Sequence, residues 1–405
     1  MSDKLSLIFK KALTSKIFKN REILRPDYIP DELPHRDEQI IKLAEILAPA
    51  LRGYRPSNVF IYGKPGTGKT AVTKYVLRRL VSEAININSI VRDIYVSCRD
   101  RCTNYSVLEG ICLGLGKEVP FTGLSIPELF RRTLLALESI EGLAILILDE
   151  VDSLIKKSGD DILYQLTRTN TNLRKSKLSI IGITNDLKFM EYLDSRIRSG
   201  LGEEEILFPP YNAMELENIL SKRALSAFYE GVLSSSVIPL CAALAARDYG
   251  DCRRALDLLR ISGEIAEREN SPIVEEKHVR MAQIESEHDK VVEGIATLPL
   301  HTKLVLIAIY LIEKSKKNVT ITTGEVYNVY KNLCKKISFD FVTQRRVSDL
   351  INELDTLGLI NSKLISMGRY GRTKIIKLAV EERSLKEALK DDVRLQSIIS
   401  QLTDL

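Results

Sequence analysis

The stretch "GKPGTGKT" at residues 63–70 constrains this chain more than any other. An apolar run, "NVFIY" (58–62), leads into it, and "AVTKYVLRRL" (71–80) follows at helical spacing. A glycine-rich turn between a strand and a helix can curl until its N–H groups converge on one point. The helix adds its own free N–H groups and positive end to the same point. The residues therefore match G-x-x-x-x-G-K-[ST], a seat for a phosphate chain, in its proper strand–loop–helix setting. Lys69 can reach the β- and γ-phosphates, and Thr70 can offer its hydroxyl to Mg²⁺. The cofactor-binding candidates here are Gly63, Pro65, Gly66, Thr67, Gly68, Lys69, Thr70 and Ala71, with ATP or ADP and Mg²⁺ as the cofactors.

Further short apolar runs follow at "DIYVS" (93–97), "LAILIL" (143–148), "LSIIGIT" (178–184) and "EEILF" (204–208). Helical patterns such as "SIPELFRRTLLALESI" (125–140) separate them. Strands alternating with helices predict a parallel sheet covered on both faces. The run at 143–148 ends in two carboxylates. Asp149 is a candidate for holding Mg²⁺ through water, and Glu150 for orienting or deprotonating an attacking water. Asn185 follows the run at 178–184. Ligands of parallel sheets gather at the carboxyl ends of strands, so its amide is a candidate contact for the γ-phosphate or the water. Paired acids and a terminal Asn are also ordinary loop residues; the loop at 63–70 favours the functional reading.

At "FPPYN" (208–212) the pattern changes to helical runs, which predicts an all-helical region to about 290. A third region begins near 295 with three helix candidates and two short strands around "GRYGR" (368–372). At 405 residues the chain is long enough for two or three domains. Its six cysteines show no metal-site spacing beyond the Cys98–Cys102 pair, so free thiols are expected. No signal peptide is recognisable, and no apolar run approaches the ~18 residues a membrane helix needs. The expected location is the cytoplasm, associated with the nucleoid, with no membrane partner.

Charge is unevenly spread. Residues 301–380 hold fourteen Lys and Arg against six Asp and Glu, a surplus of eight, whereas the whole chain carries +5. The excess suits a polyanion, although a solvated surface has the same composition. Within 342–357, Val347, Leu350, Ile351, Leu354 and Leu357 share one helical face. Arg345, Asp349 and Asn352 face the other way, flanked by Gln344, Arg346 and Ser348. Such a helix can present its N-terminal polar residues to bases and phosphates. The turn at 368–372 would place Arg369, Tyr370, Arg372 and Lys374 at a wing tip, suited to a minor groove or a phosphate pair. The same fold can also serve protein contacts.

Taken together, "YGKPGTGKT", "LILDEVD", "GITND", "SRIRSGLGEEEILFPPY", "GDCRRALDLLR" and "VTQRRVSDLINELDTLGLI" with "GRYGRTKII" make the chain resemble an AAA+ ATPase. Within that class it is similar to the archaeal Orc/Cdc-type replication initiators over nearly its whole length. The resemblance implies an α/β fold: a P-loop AAA+ core with a parallel sheet (1–208), an all-helical lid (209–294), a winged-helix DNA-binding domain (295–384) and a tail (385–405). It places an initiator-specific helical insertion that touches DNA at about 103–130. It assigns Arg253 as the sensor arginine of the lid and sets Tyr211, Arg223 and Arg36 beside the nucleotide, with Tyr211 and Arg36 near the base. It makes Arg196 or Arg198 the arginine finger offered to a neighbouring subunit. Here Ser199 is followed by Gly200 where many members carry Ser-Arg, which leaves the choice between the two open.

The function the resemblance implies is ATP-dependent binding of double-stranded DNA at replication origins. The implied partners are a replicative helicase and related initiator subunits. ATP turnover would be slow and nucleotide state would act as a switch. An accessory or negatively regulating origin-binding paralogue, and a generic AAA+ loader with repeated turnover, are the alternatives.

Overall fold

The computed structural model describes residues 16–120, 122–201, 204–315, 321–366, 372–390, 392–395 and 398. The chain divides into two units, Met1–Arg280 and Met281–Leu405.

The first unit is built on five parallel strands: β1 (Val59–Gly63), β2 (Val91–Ser97), β3 (Leu143–Asp149), β4 (Lys177–Thr184) and β5 (Glu204–Phe208). Their order is β2-β3-β4-β1-β5. The order explains the sequence patterns. All seven residues of β3 are buried, as are all but the first of β4, because both strands are covered on two faces. The edge strands β2 and β5 mix buried and open positions. Successive residues of β3 point to opposite faces. Ala144, Leu146 and Leu148 join one core with Val107, Leu108 and Leu163, and Ile145 and Ile147 join another with Leu43, Val72 and Val76.

Residues 103–130 carry the helix Asn104–Gly114 and the start of the helix Ile126–Glu138, the latter expected from the pattern at 125–140. Thr103 starts the first through a capping box with Ser106, and Ser125 caps the second ahead of Pro127. After β5, Pro209 and Pro210 end the sheet. Asn212 then opens the helix Ala213–Ala227 through a capping box with Glu215. Two more helices follow in the helical region, Val237–Arg247 and Cys252–Arg268, before the long helix Glu276–Ala296.

One departure concerns the chain's start. Residues expected to belong with the sheet pack on the helical region instead. Lys19 and Asn20 donate backbone bonds to Ala227 O, Tyr229 N donates to Ile17 O, and Phe18 stacks on Phe228 with centroids 4.8 Å apart. Ile17, Phe18 and Leu24 are buried. These scattered apolar residues have no periodicity of their own, so the sequence did not show what they would cover.

The second unit packs the helices Leu300–Ser315, Thr323–Lys336 and Gln344–Thr356 against a three-stranded sheet. Strands β6 (Ile321–Thr322), β7 (Ile360–Ser366) and β8 (Arg372–Leu378) pair antiparallel in the order β6-β8-β7. A further helix, Glu382–Leu389, runs through the expected start of the tail at 385 and buries Leu385 and Leu389. Lys303 anchors the chain beyond it by an ion pair to Asp392 at 2.8 Å.

Of the five apolar residues expected on one face of 342–357, Val347, Leu350, Ile351 and Leu354 are buried, but Leu357 is 58% exposed. The helix ends at Thr356, and Gly358 turns the chain in the left-handed region before Leu357 can follow the stripe inward. Leu354→Ala should therefore destabilise this unit by about 2–5 kcal/mol, and Leu357→Ala by roughly 0.5 kcal/mol or less. Urea melts of the two variants measure both.

Candidate functional site

The glycine loop curls at the carboxyl end of β1. Gly66 and Gly68 take φ values of 70° and 90°, a region that suits glycine. Gly63 needs its missing Cβ for another reason: a methyl there would run into the backbone oxygen of Phe208 on β5. Lys69 opens the following helix, Lys69–Asn86, and is only 6% exposed. Its ammonium donates to Gly63 O (2.9 Å), Lys64 O (2.8 Å) and Asn185 Oδ1 (2.9 Å). All three acceptors are uncharged. Burial pushes the Lys69 pKa down to about 8, against the opposing pull of the Asp149 charge.

Asp149 and Asn185 reach the same place because β3 and β4 are adjacent and β4 pairs with β1. Asp149 Oδ2 accepts from the Thr70 hydroxyl at 2.8 Å, and its Oδ1 accepts from Glu150 N at 3.0 Å. Glu150 takes φ 55° where β3 turns into the helix Val151–Ser158, a strained position for a residue with a side chain. Strain of this kind is characteristic of functional turns.

These groups border a cleft of about 870 Å³. Its core side carries Gly66 to Ala71, Asp149, Glu150 and Asn185. Tyr211 stands at its hinge. The helical region contributes Arg223, Arg253 and Leu256, and the chain's early segment contributes residues such as Pro26, Tyr28 and Leu33. Gly63 and Pro65 do not line it; they shape the loop from behind.

The helical region touches the loop directly. Cys252 N donates to Gly66 O at 3.2 Å, and Asp251 caps the helix Cys252–Arg268 by accepting from the N–H groups of Arg253 and Arg254. A Cβ on Gly66 would strike Asp251, and one on Gly250 would strike the Tyr211 backbone. The start of this helix thus rests on the loop and the hinge together.

One candidate stands differently from the sequence expectation. Arg36 does not line the cleft. It is 2% exposed, and its guanidinium donates to Thr67 O (2.8 Å), His35 O (2.9 Å) and Pro209 O (2.7 Å). It also lies 3.7 Å from the centroid of the Tyr211 ring, a cation–π contact. It is a clamp behind the loop and hinge, and a base contact would require it to leave those partners. Arg196 and Arg198, expected to face a neighbouring subunit, lie outside this cleft, exposed on the helix Ser195–Leu201. Arg196 is bidentate on Asp194 at 3.0 Å, and Arg198 donates to Glu191 O and Leu193 O.

Arg223 does face the cleft, but it also binds the early segment. It donates to Ile23 O (3.0 Å) and Tyr28 O (3.3 Å), and its guanidinium covers the Tyr28 ring at 4.7 Å. Residues 23–32 were missed as a wall of the site. "LRPDYIPDELP" shows only that the segment is extended, not where it lies. Tyr95, on β2, was missed too: its hydroxyl donates to Asp149 Oδ2 at 2.9 Å.

In the second unit, Gln344, Arg345 and Arg346 are exposed on the first turn of the helix Gln344–Thr356, and Ser348 is half-buried. Thr343 caps this turn by accepting from Arg346 N. The loop before it is set by a buried relay: Val342 N donates to Tyr330 Oη (3.1 Å), which is 2.8 Å from His301 Nδ1. Lys374, on β8, donates to Asn352 Oδ1 of the helix. Arg372 opens β8 opposite Ser366. Arg369 and Tyr370 lie outside the described residues.

Three family models match the chain in order. Residues 52–189 match the AAA domain, 217–284 the Cdc6 AAA+ ATPase-type lid domain, and 293–388 the CDC6 C-terminal winged helix domain. An ORC1-type DNA replication protein 1 from Sulfurisphaera tokodaii is 53% identical, over 98% of this chain and 99% of that one. An ORC1-type DNA replication protein from Thermococcus onnurineus is also 53% identical, over 98% and 96% of the two chains. Among solved structures, the Aeropyrum pernix ORC1 protein in complex with DNA is 48% identical and superposes with a TM-score of 0.85, covering 95% of this chain and all of that one. The identity runs through core, helical lid and winged helix alike, and the chain belongs to the archaeal ORC1-type/Cdc6 family of DNA replication initiators.

Proposed function

We propose that this initiator binds ATP or ADP with Mg²⁺ in the cleft between core and lid, grips double-stranded DNA at replication origins, and uses its nucleotide state as a switch in recruiting or loading the replicative helicase. One observation carries the switch: the N-terminus of the lid helix Cys252–Arg268 is hydrogen-bonded to the phosphate loop itself, from Cys252 N to Gly66 O. Whatever fills the loop acts on the lid through that contact. The complex of the related Aeropyrum pernix protein with DNA supports the DNA part of the reading.

The residues fit a triphosphate with its metal. Lys69 is a buried cation whose hydrogen-bond partners are two carbonyls and an amide, so an anion in the loop would supply the counter-charge it lacks. Thr70 and Asp149 would hold Mg²⁺, which offsets charge on the phosphates when bound. Glu150 orients or deprotonates the attacking water, Asn185 fixes it, and Arg253 reports the γ-phosphate to the lid. Arg196 or Arg198, exposed on one helix, would serve a neighbouring subunit as the finger. Turnover is slow, with the bound state as the signal. Gln344, Arg345, Arg346 and Ser348, with the wing residues Arg369, Tyr370, Arg372 and Lys374, contact DNA.

Two outcomes test this. Because the free protein holds the Lys69 pKa near 8, while an anion favours the charged form, nucleotide binding should take up a proton above about pH 8, and affinity should fall as pH rises through that range. Calorimetry in buffers of different ionisation enthalpy reads the uptake, and Lys69→Arg should abolish it; proton-neutral binding by wild type at pH 9 would count against the site. For DNA, wild type should prefer origin fragments to random duplex at fixed salt. Arg345→Ala and Arg372→Ala should lose that preference, a base-reading arginine being worth about 1–3 kcal/mol. Equal binding of all fragments by wild type would reduce the basic module to an electrostatic hold.

A further inference from the structure

The carboxylate of Asp149 is fixed by more than the loop it serves. Its Oδ2 accepts two hydroxyls, from Thr70 at 2.8 Å and from Tyr95 at 2.9 Å, and its Oδ1 accepts Glu150 N. A carboxylate offers about four acceptor positions, so the Oδ2 pair is filled and the group cannot rotate without losing a donor. Tyr95 comes from the edge strand β2, whose register pairs Ser97 with Asp149 and Tyr95 with Ile147. The phenol spans from two residues below the strand tip up to the carboxylate.

The ring is itself held. Lys74, one helical turn beyond Thr70, places its ammonium 4.1 Å from the ring centroid. Tyr95 thus stands between a cation on its face and an anion at its hydroxyl, on the wall of the cleft. Burial and the neighbouring Asp149 charge both raise its pKa, so the hydroxyl keeps its proton and remains a donor.

We infer that Tyr95 is a positioning residue for the metal: it fixes the Asp149 carboxylate in the orientation that receives Mg²⁺. The inference rests on the nucleotide reading above. The Thr70 hydroxyl oxygen is claimed by the metal as well as bonded to Asp149, so Tyr95 is the hydroxyl donor to Oδ2 that has no second duty. Partners of this outer kind typically change metal affinity by 10–100-fold when removed.

Tyr95→Phe tests it, since it keeps the ring and the Lys74 contact and deletes only the hydroxyl. Affinity for a fluorescent ATP analogue is measured on the full chain, once in EDTA and once in excess Mg²⁺, for wild type, Tyr95→Phe and Asp149→Asn. The expected result is a metal-free affinity and melting temperature matching wild type, with the Mg²⁺-dependent gain reduced on the order of tenfold. Asp149→Asn should lose the gain altogether. A full gain in Tyr95→Phe beside a lost one in Asp149→Asn overturns the inference and leaves the nucleotide site standing. An equal loss with and without metal also overturns it, because that is the mark of a purely structural side chain. A wild type that binds the analogue but gains nothing from Mg²⁺ overturns the metal role alone, and one that binds no analogue overturns the nucleotide reading with it.

Discussion

A lysine ammonium placed inside the protein with only neutral partners is the constraint on which the site depends. Lys69 is buried, and an unpaired buried charge is unfavourable unless its protons are all accepted. Here they are accepted by Gly63 O, Lys64 O and the Asn185 amide. These come from the end of β1, the loop after it and the end of β4. They can meet only because β1 lies beside β4, and the hinge can join them only because β5 lies on the other side of β1. Strand order brings these ends together, as ligand sites of parallel sheets require.

Two arginines, Arg36 buried and Arg223 half-buried, then tie this centre to its surroundings, each by backbone carbonyls. Arg36 joins Thr67 of the loop to Pro209 and the Tyr211 ring of the hinge. Arg223 joins the first lid helix to Ile23 and Tyr28 of the early segment. Burial lowers the pKa of both guanidiniums, so each charge carries a desolvation cost that its hydrogen bonds offset. Carbonyl acceptors set position without neutralising charge. The cleft therefore has a clamp on its core side and another on its lid side, with two uncompensated cations near an anion seat. Local geometry and the field of the site favour the same ligand charge.

Much of this was legible in the sequence, for identifiable reasons. The loop at 63–70, the acids at 149–150 and Asn185 end strands whose apolar runs are unmistakable, so their convergence follows once the strands are parallel. Arg36 was less legible. The resemblance set it beside the base, and only the fold reveals three carbonyls waiting for it. Tyr95 was invisible because its role depends on the register between β2 and β3, which no single strand encodes. Residues 17–24 gave a weak signal because they cover another element's apolar surface without a stripe of their own; the helix Glu382–Leu389 does bury one face through Leu385, Ala388 and Leu389, but it is only eight residues long. Leu357 fitted the helical period, but the period outlasted the helix.

The winged helix shows the same separation between residue type and available chemistry. Lys374 looks like a free phosphate contact in sequence, yet it is bonded to Asn352. Arg346 faces Glu353 at 3.5 Å, but that pair is half-exposed, and such pairs contribute little and can be redirected. Arg345 has no ion-pair partner among the described residues. It sits on a first turn that Thr343 caps and that the relay from His301 through Tyr330 to Val342 aims. An arginine held at its backbone and free at its head loses little by meeting a base edge, whereas Lys374 must first give up Asn352. By that argument a contact through Arg345 would cost this face less than one through Lys374, which would have to exchange its bond to Asn352 for the new one.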